Sequence, residues 1–135
     1  MEGIKTEKHY VPDASAILAI LLPDELHLPT SIKIVSLIDN VNNKFLAPHL
    51  LKYEVANGLR SALIQARIGK RVFNKLVKSF IVLPIAYRDV DLVKVSKIST
   101  ENNLTVYDAS YLYLSEVESA VLIAIDKDLK PFSSI

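Results

Sequence analysis

Val11-Pro12-Asp13-Ala14-Ser15-Ala16-Ile17-Leu18 is the stretch whose reading decides the fold. A short β-like run closes on an aspartate, and an apolar helix-like stretch opens at once. The phrase returns near the other end of the chain as Tyr107-Asp108-Ala109-Ser110-Tyr111-Leu112. Strand-to-helix junctions of an open α/β sheet lie at the carboxyl edge of the strands, where such folds build their sites. Two acids placed alike, far apart in sequence, can meet there. Taken singly, each is also accounted for as a helix N-cap, a position Asp favours.

Working outward, strands and helices alternate. His9–Pro12 reads as a first strand and Ala14–Leu22 as the helix after it. Pro29–Val41 carries Ile32, Val35, Ile38 and Val41 at helical spacing. Lys44–Ala47 is a second strand, and Pro48 suits the start of a long helix running to Ile68, with Gly69 as its stop. Lys70–Phe80 is helical, Ile81-Val82-Leu83 is a β-rich run ended by Pro84, and Asp89–Thr100 is amphipathic, with Asn102-Asn103 able to end it. Leu104–Tyr107 reads as extended, Asp108–Glu118 as a helix and Ala120–Ile125 as a buried strand. This order predicts one α/β domain over residues 1–135, a three-layer α/β/α sandwich with a four- to five-stranded, mostly parallel sheet. Residues 1–8 read as a flexible extension.

The bulk numbers agree. At 135 residues and 50% hydrophobic composition, the chain can bury one full core. Mean hydropathy is +0.27, yet no apolar run approaches the ~20 residues of a membrane span. Met1–Lys8 is polar, without a signal-peptide core, and cysteine is absent, so disulfides and thiolate metal sites are excluded. A cytoplasmic protein is expected. Net charge is +1, but between Lys52 and Arg88 the basic residues Lys52, Arg60, Arg67, Lys70, Arg71, Lys75, Lys78 and Arg88 face one acid, Glu54. Such a segment suits a polyanion, or is simply a solvated helical surface.

Four acids stand out. Asp13 and Asp108 follow extended runs, Asp126 follows the last strand, and Glu54 lies within the long helix. Around Glu54, Asn57, Gly58 and Ser61 share its helical face, a small polar stripe in an otherwise apolar helix. It reads as a cleft wall, with a small-residue packing contact as the alternative. An all-carboxylate cluster selects Mg²⁺ or Mn²⁺ rather than zinc. Ser15, two residues after Asp13, is placed to bind a metal water or that carboxylate, or to serve as a capping hydroxyl. His9, His27 and His49 form no ligand spacing, and no Ser-His-Asp order or phosphate-binding glycine loop is present. Of Tyr107, Tyr111 and Tyr113, one or two belong to the core, and an exposed Tyr107 could stack on a base.

Four ordered motifs carry a resemblance. They are Val11-Pro12-Asp13-Ala14-Ser15; Ala47-Pro48 with Tyr53-Glu54-Val55-Ala56-Asn57; Leu104-Thr105-Val106-Tyr107-Asp108-Ala109; and Leu122-Ile123-Ala124-Ile125-Asp126-Lys127-Asp128-Leu129. The chain resembles a PIN domain of the VapC toxin type. The resemblance implies an Mg²⁺- or Mn²⁺-dependent endoribonuclease whose acids fall on Asp13, Glu54, Asp108 and Asp126, with Ser15 and Asn57 as polar neighbours. It implies RNA, such as transfer RNA, as substrate, with contacts expected from Arg60, Arg67, Lys70 and Arg71. It also implies a homodimer and a small antitoxin partner. One departure is Ala124, where the family commonly has Thr or Ser; Asp128 is a substitute ligand or a turn residue. The alternative is a PIN-fold RNA-binding or protein-interaction module of weak or no activity. A receiver-like signalling domain is excluded by the missing acid pair near the first strand and by Lys130, which does not close a strand of its own.

Overall fold

A computed structural model describes residues 7–135. Four strands and six helices alternate in it: β1 (Lys8–Pro12), α1 (Ala14–Leu21), α2 (Pro29–Asp39), β2 (Asn43–Pro48), α3 (Leu50–Ile64), α4 (Lys70–Ile81), β3 (Ile85–Arg88), α5 (Leu92–Asn102), α6 (Val106–Val117) and β4 (Val121–Ile123). The sheet is wholly parallel with order β3-β2-β1-β4. The expected sheet stands, at four strands among the described residues. The chain moves outward from β1 to β2 and β3, then returns to place β4 on the other side of β1. That reversal makes a topological switch point between β1 and β4, and in open α/β sheets ligands bind outside the carboxyl ends of the strands there.

Strand side chains alternate between faces. Tyr10, Phe45 and Ile123 join Ile34 of α2 in one apolar cluster. Val11, Leu46 and Leu122 join Leu51, Val55 and Leu59 of α3 and Tyr111, Leu112 and Leu114 of α6 in the other. Both faces are therefore covered. α3 packs closely on α1 at Gly58, where an added Cβ would lie 2.4 Å from Leu18 Cδ1.

Several boundaries differ from the sequence reading. The β-rich Ile81-Val82-Leu83 is no strand: α4 runs through Ile81, and both Ile81 and Val82 are exposed. Nothing there buries the β-branched side chains that would favour a strand. β3 instead follows Pro84, which has no N–H to give to the ladder. Pro48 ends β2 rather than starting α3, and α3 stops at Gln65, with Ala66 taking the left-handed conformation (φ 60). Gly69 is the N-cap of α4, not the stop of α3. Asn103 does end α5 in the left-handed region, at φ 51. The extended piece Leu104–Tyr107 is replaced by an N-cap at Thr105 and the first turn of α6. Of the supposed extension, residues 1–6 lie outside the described residues, while Lys8 opens β1.

Candidate functional site

Asp13 closes β1 and caps α1. The Ala16 N–H donates to its Oδ1 at 3.0 Å, as an N-cap requires, and the Ser15 hydroxyl donates to the same oxygen at 2.7 Å. The backbone N–H of Asp13 donates to the Ile123 carbonyl at 3.0 Å, which continues the pairing of β1 with β4. Ser15 Oγ also accepts from the N–H groups of Ile125 (3.0 Å) and Asp126 (3.1 Å). One hydroxyl thus fastens the segment carrying Asp126 to the carboxylate of Asp13. Ala124 leaves that segment without a side-chain hydroxyl of its own, and Ser133 Oγ accepts from the Ala124 N–H at 3.2 Å.

The twin phrases are not twins in three dimensions. Thr105, not Asp108, caps α6: its Oγ1 accepts from the Asp108 N–H at 3.0 Å. Asp108 stands in the first turn, where the helix macrodipole favours an acid. Three residues on, and so on a neighbouring helical position, buried Tyr111 donates its hydroxyl to Glu54 Oε1 at 2.5 Å. Tyr111 therefore sets the position of Glu54. The sequence reading took it only as a core candidate; its signal was the i+3 spacing from Asp108.

The electrostatics tie these groups together. Burial, opposed by the bonds from Ser15 and Ala16, pushes Asp13 up to about 6, and the charges of Asp126 and Asp108 add to the rise. Burial also raises Glu54; the Tyr111 bond opposes this and the Asp108 charge reinforces it. Asp108 is raised by burial first, then by Asp128, and last by Asp126. So Asp128, in sequence a substitute ligand or a turn residue, acts on Asp108 more strongly than Asp126 does. None of these acids has a basic partner among the ion pairs of the described residues.

As the side chains stand, no group of three or more His, Asp and Glu residues among the described ones is gathered closely enough to hold a metal ion. The donor set still fits a hard cation in kind: all oxygen, uncompensated, and coupled through mutual repulsion. Mg²⁺ keeps several waters and needs only one or two carboxylates, so a loose set is compatible with it.

The remaining expectations separate. Asn57 is exposed on α3. The small polar stripe is not a cleft wall at Gly58, which is instead the close packing contact with Leu18. Arg67 is engaged: its Nε and Nη2 donate to Asp24 at 2.8 Å each, and Nη2 also to Glu25 at 2.9 Å. Arg60, Lys70 and Arg71 are exposed and have no acidic partner among the described ion pairs. Tyr107 is 64% exposed.

The family model of the PIN domain matches residues 10–133. Exonuclease VapC9 of Pyrobaculum aerophilum is 33% identical over 127 residues, covering 89% of this chain and 82% of that protein. Ribonuclease VapC3 of the same organism is 31% identical over 124 residues, covering 88% and 90%. Among solved structures, PAE2754 from Pyrobaculum aerophilum superposes with TM-score 0.70 at 26% identity, over 98% of this chain and 89% of that one. VapC20 of Mycobacterium tuberculosis, a sarcin-ricin loop cleaving toxin, superposes with TM-score 0.62 over 93% and 98%; at 12% identity the likeness is one of fold. With a 3-2-1-4 parallel sheet and a family match spanning nearly all of the described chain, this chain belongs to the PIN domain family.

Proposed function

We propose that the chain is a metal-dependent endoribonuclease, the toxin of a toxin–antitoxin pair. The observation that carries this is the buried Asp13 at the switch point, raised toward neutrality and facing Asp108 and Asp126 with no cation to balance them. Two relatives named as an exonuclease and a ribonuclease support a nuclease reading. Asp13, Glu54, Asp108 and Asp126 would hold Mg²⁺ or Mn²⁺, which when bound polarises a phosphodiester and acidifies water.

The chain's own residues do the rest. Ala16 N–H and Ser15 Oγ fix the rotamer of Asp13. Ser15 also holds the backbone before Asp126. Tyr111 occupies Glu54 Oε1 and leaves Oε2 free. Glu54 and Asp108, both shifted upward by burial, are the two groups suited to accept the proton of the attacking water. Arg60, Lys70 and Arg71 are free to meet RNA phosphates, whereas Arg67 must first leave Asp24 and Glu25. Exposed Leu92 and Val93 on α5, and Ile81 and Val82 at the end of α4, offer apolar surface to a second copy or an antitoxin.

The test is cleavage of structured RNA, including transfer RNA, with Mn²⁺. The native protein cleaves, while Asp13→Asn and EDTA each abolish it; equal cleavage by both proteins, or cleavage in EDTA, refutes the reading. A second reading, an RNA-binding module without turnover, is favoured by one observation: the carboxylates do not converge on a common point. It expects RNA to bind without being cut, with or without Mn²⁺.

A further inference from the structure

The carboxyl edge of the sheet has a second half. In the order β3-β2-β1-β4, the residues leaving the strands are Arg88-Asp89, His49, Asp13 and the Asp126 segment. The β2–β3 register pairs Pro48 with Arg88, so His49 and Asp89 emerge at the same level. Adjacent strands lie about 4.8 Å apart, so the β2–β3 half of the edge begins about 5 Å from Asp13 and ends about 10 Å from it, a span of one to two nucleotides. Asp13 and Asp126 occupy the β1–β4 half. The β2–β3 half is cationic and aromatic.

Its groups are built against one another. The His49 ring stacks on Tyr87, with centroids 5.9 Å apart and planes 24° from parallel. Lys52 Nζ lies 4.6 Å from the centroid of the Tyr87 ring. His49 Nε2 meets Asp89 Oδ1 at 3.2 Å, and Asp89 is almost fully exposed. A cavity of about 340 Å³ opens here, with His49, Arg88 and Asp89 as its polar groups and Pro48, Leu50 and Val90 among its apolar ones. Ser110 of α6 lines it as well. Its size falls in the range of small-ligand sites.

We infer that this shelf is a nucleotide subsite: the free face of the His49 ring, backed by Tyr87, receives one base of single-stranded RNA beside the scissile phosphate, and Arg88 holds its phosphate. The inference rests on the ribonuclease reading for its substrate. Stacking on an aromatic face tolerates any base, and Arg88 supplies the positive charge that the acidic half lacks. Asp89 is the one acid in the shelf. It orients the imidazole and repels a phosphate from its own side, which directs the backbone toward Arg88. The shelf thus sets where RNA is cut and how tightly it is held, while the acids set whether it is cut.

Binding is read on the Asp13→Asn protein in EDTA, by fluorescence anisotropy of a labelled short random-sequence single-stranded RNA. His49→Ala and Arg88→Ala are each expected to weaken binding on the order of 10-fold. Arg88→Ala should also lower the salt slope by about 1, and His49→Ala should leave it unchanged. His49→Gln, which keeps a polar side chain beside Asp89 but loses the ring, should behave like His49→Ala. In the cleaving protein the same changes should raise KM and alter the nucleotides flanking the cut. Folding is checked by melting temperature, and Lys33→Ala on α2 serves as a charge control. RNA bound equally by Asp13→Asn with and without these changes, or an unaltered cleavage pattern, overturns the subsite. If nothing is cleaved but the binding losses appear, the nuclease reading falls and the shelf stands.

Discussion

Replacing Asp13 by Asn should make the metal-free protein more stable, although it removes an acid that the proposed chemistry needs. Asp13 is only 6% exposed, and its pKa is pushed from 3.8 to about 6, chiefly by burial. At 1.36 kcal/mol per pKa unit, keeping it ionised costs the fold about 3 kcal/mol. The folded pKa lies above the unfolded one, so the penalty is absent below pH 3.8. It grows as pH rises from 3.8 to about 6 and is complete above that. Asn caps helices as well as Asp does, and its side-chain oxygen can accept from Ala16 N–H and Ser15 Oγ as before. Asp13→Asn should therefore melt roughly 6–12 °C higher than the native protein at pH 7.5 in EDTA, with the gap closing toward pH 4. Added Mn²⁺ should raise the melting temperature of the native protein and leave the variant where it was. A variant that melts no higher than the native protein at pH 7.5, or a gap that is the same at pH 4 and pH 7.5, refutes the argument.

Other perturbations have equally definite outcomes. Tyr111→Phe removes the bond that favours ionised Glu54, so Glu54 should rise further and the acidic limb of the pH–rate profile should move to higher pH; a stopped-point RNA cleavage series across pH checks the direction. Gly58→Val drives side-chain atoms into Leu18 and should cost about 2–4 kcal/mol in urea unfolding, an overpacking cost joined by the poorer helix propensity of a β-branched residue. Arg67→Ala breaks exposed ion pairs with Asp24 and Glu25 and should cost no more than about 1 kcal/mol. It should also leave RNA affinity within about twofold, whereas charge removal at Arg60, Lys70 and Arg71 together should weaken binding and flatten its salt dependence. Ser15→Ala frees the Asp126 segment and should lower cleavage about 10–100-fold, as loss of groups that orient metal ligands does; kcat under saturating Mn²⁺ reads it.

What the sequence made legible was whatever depends on local pattern. The Pro12-Asp13-Ala14 junction marks a strand end and a helix cap by residue type alone, and the structure has both. The alternation of apolar runs with amphipathic ones gives the element order because burial on two faces demands it. What stayed hidden depends on neighbours distant in the chain. Ile81 and Val82 favour a strand intrinsically, but no strand lies beside them, and the helix runs on. Thr105 and Asp108 both suit a cap, and only the three-dimensional path decides that Thr105 takes it. Gly58 among polar residues looks like a cleft wall until Leu18 of another helix is known to press on it. Tyr111 and Glu54 are 57 positions apart, so no periodicity could pair them.

The bond network around Ser15 joins residues separated by 110 positions, among the longest sequence separations the chain offers. Contacts of that separation carry the largest loop-closure cost and form late when a chain folds. Until β4 docks beside β1, Asp13 stands at an unpaired sheet edge. Only the arrival of β4 brings Asp126 and closes the hydroxyl clamp. Under the ribonuclease reading proposed above, Asp13 and the Asp126 segment come together only when β4 joins the sheet, a consequence of strand order.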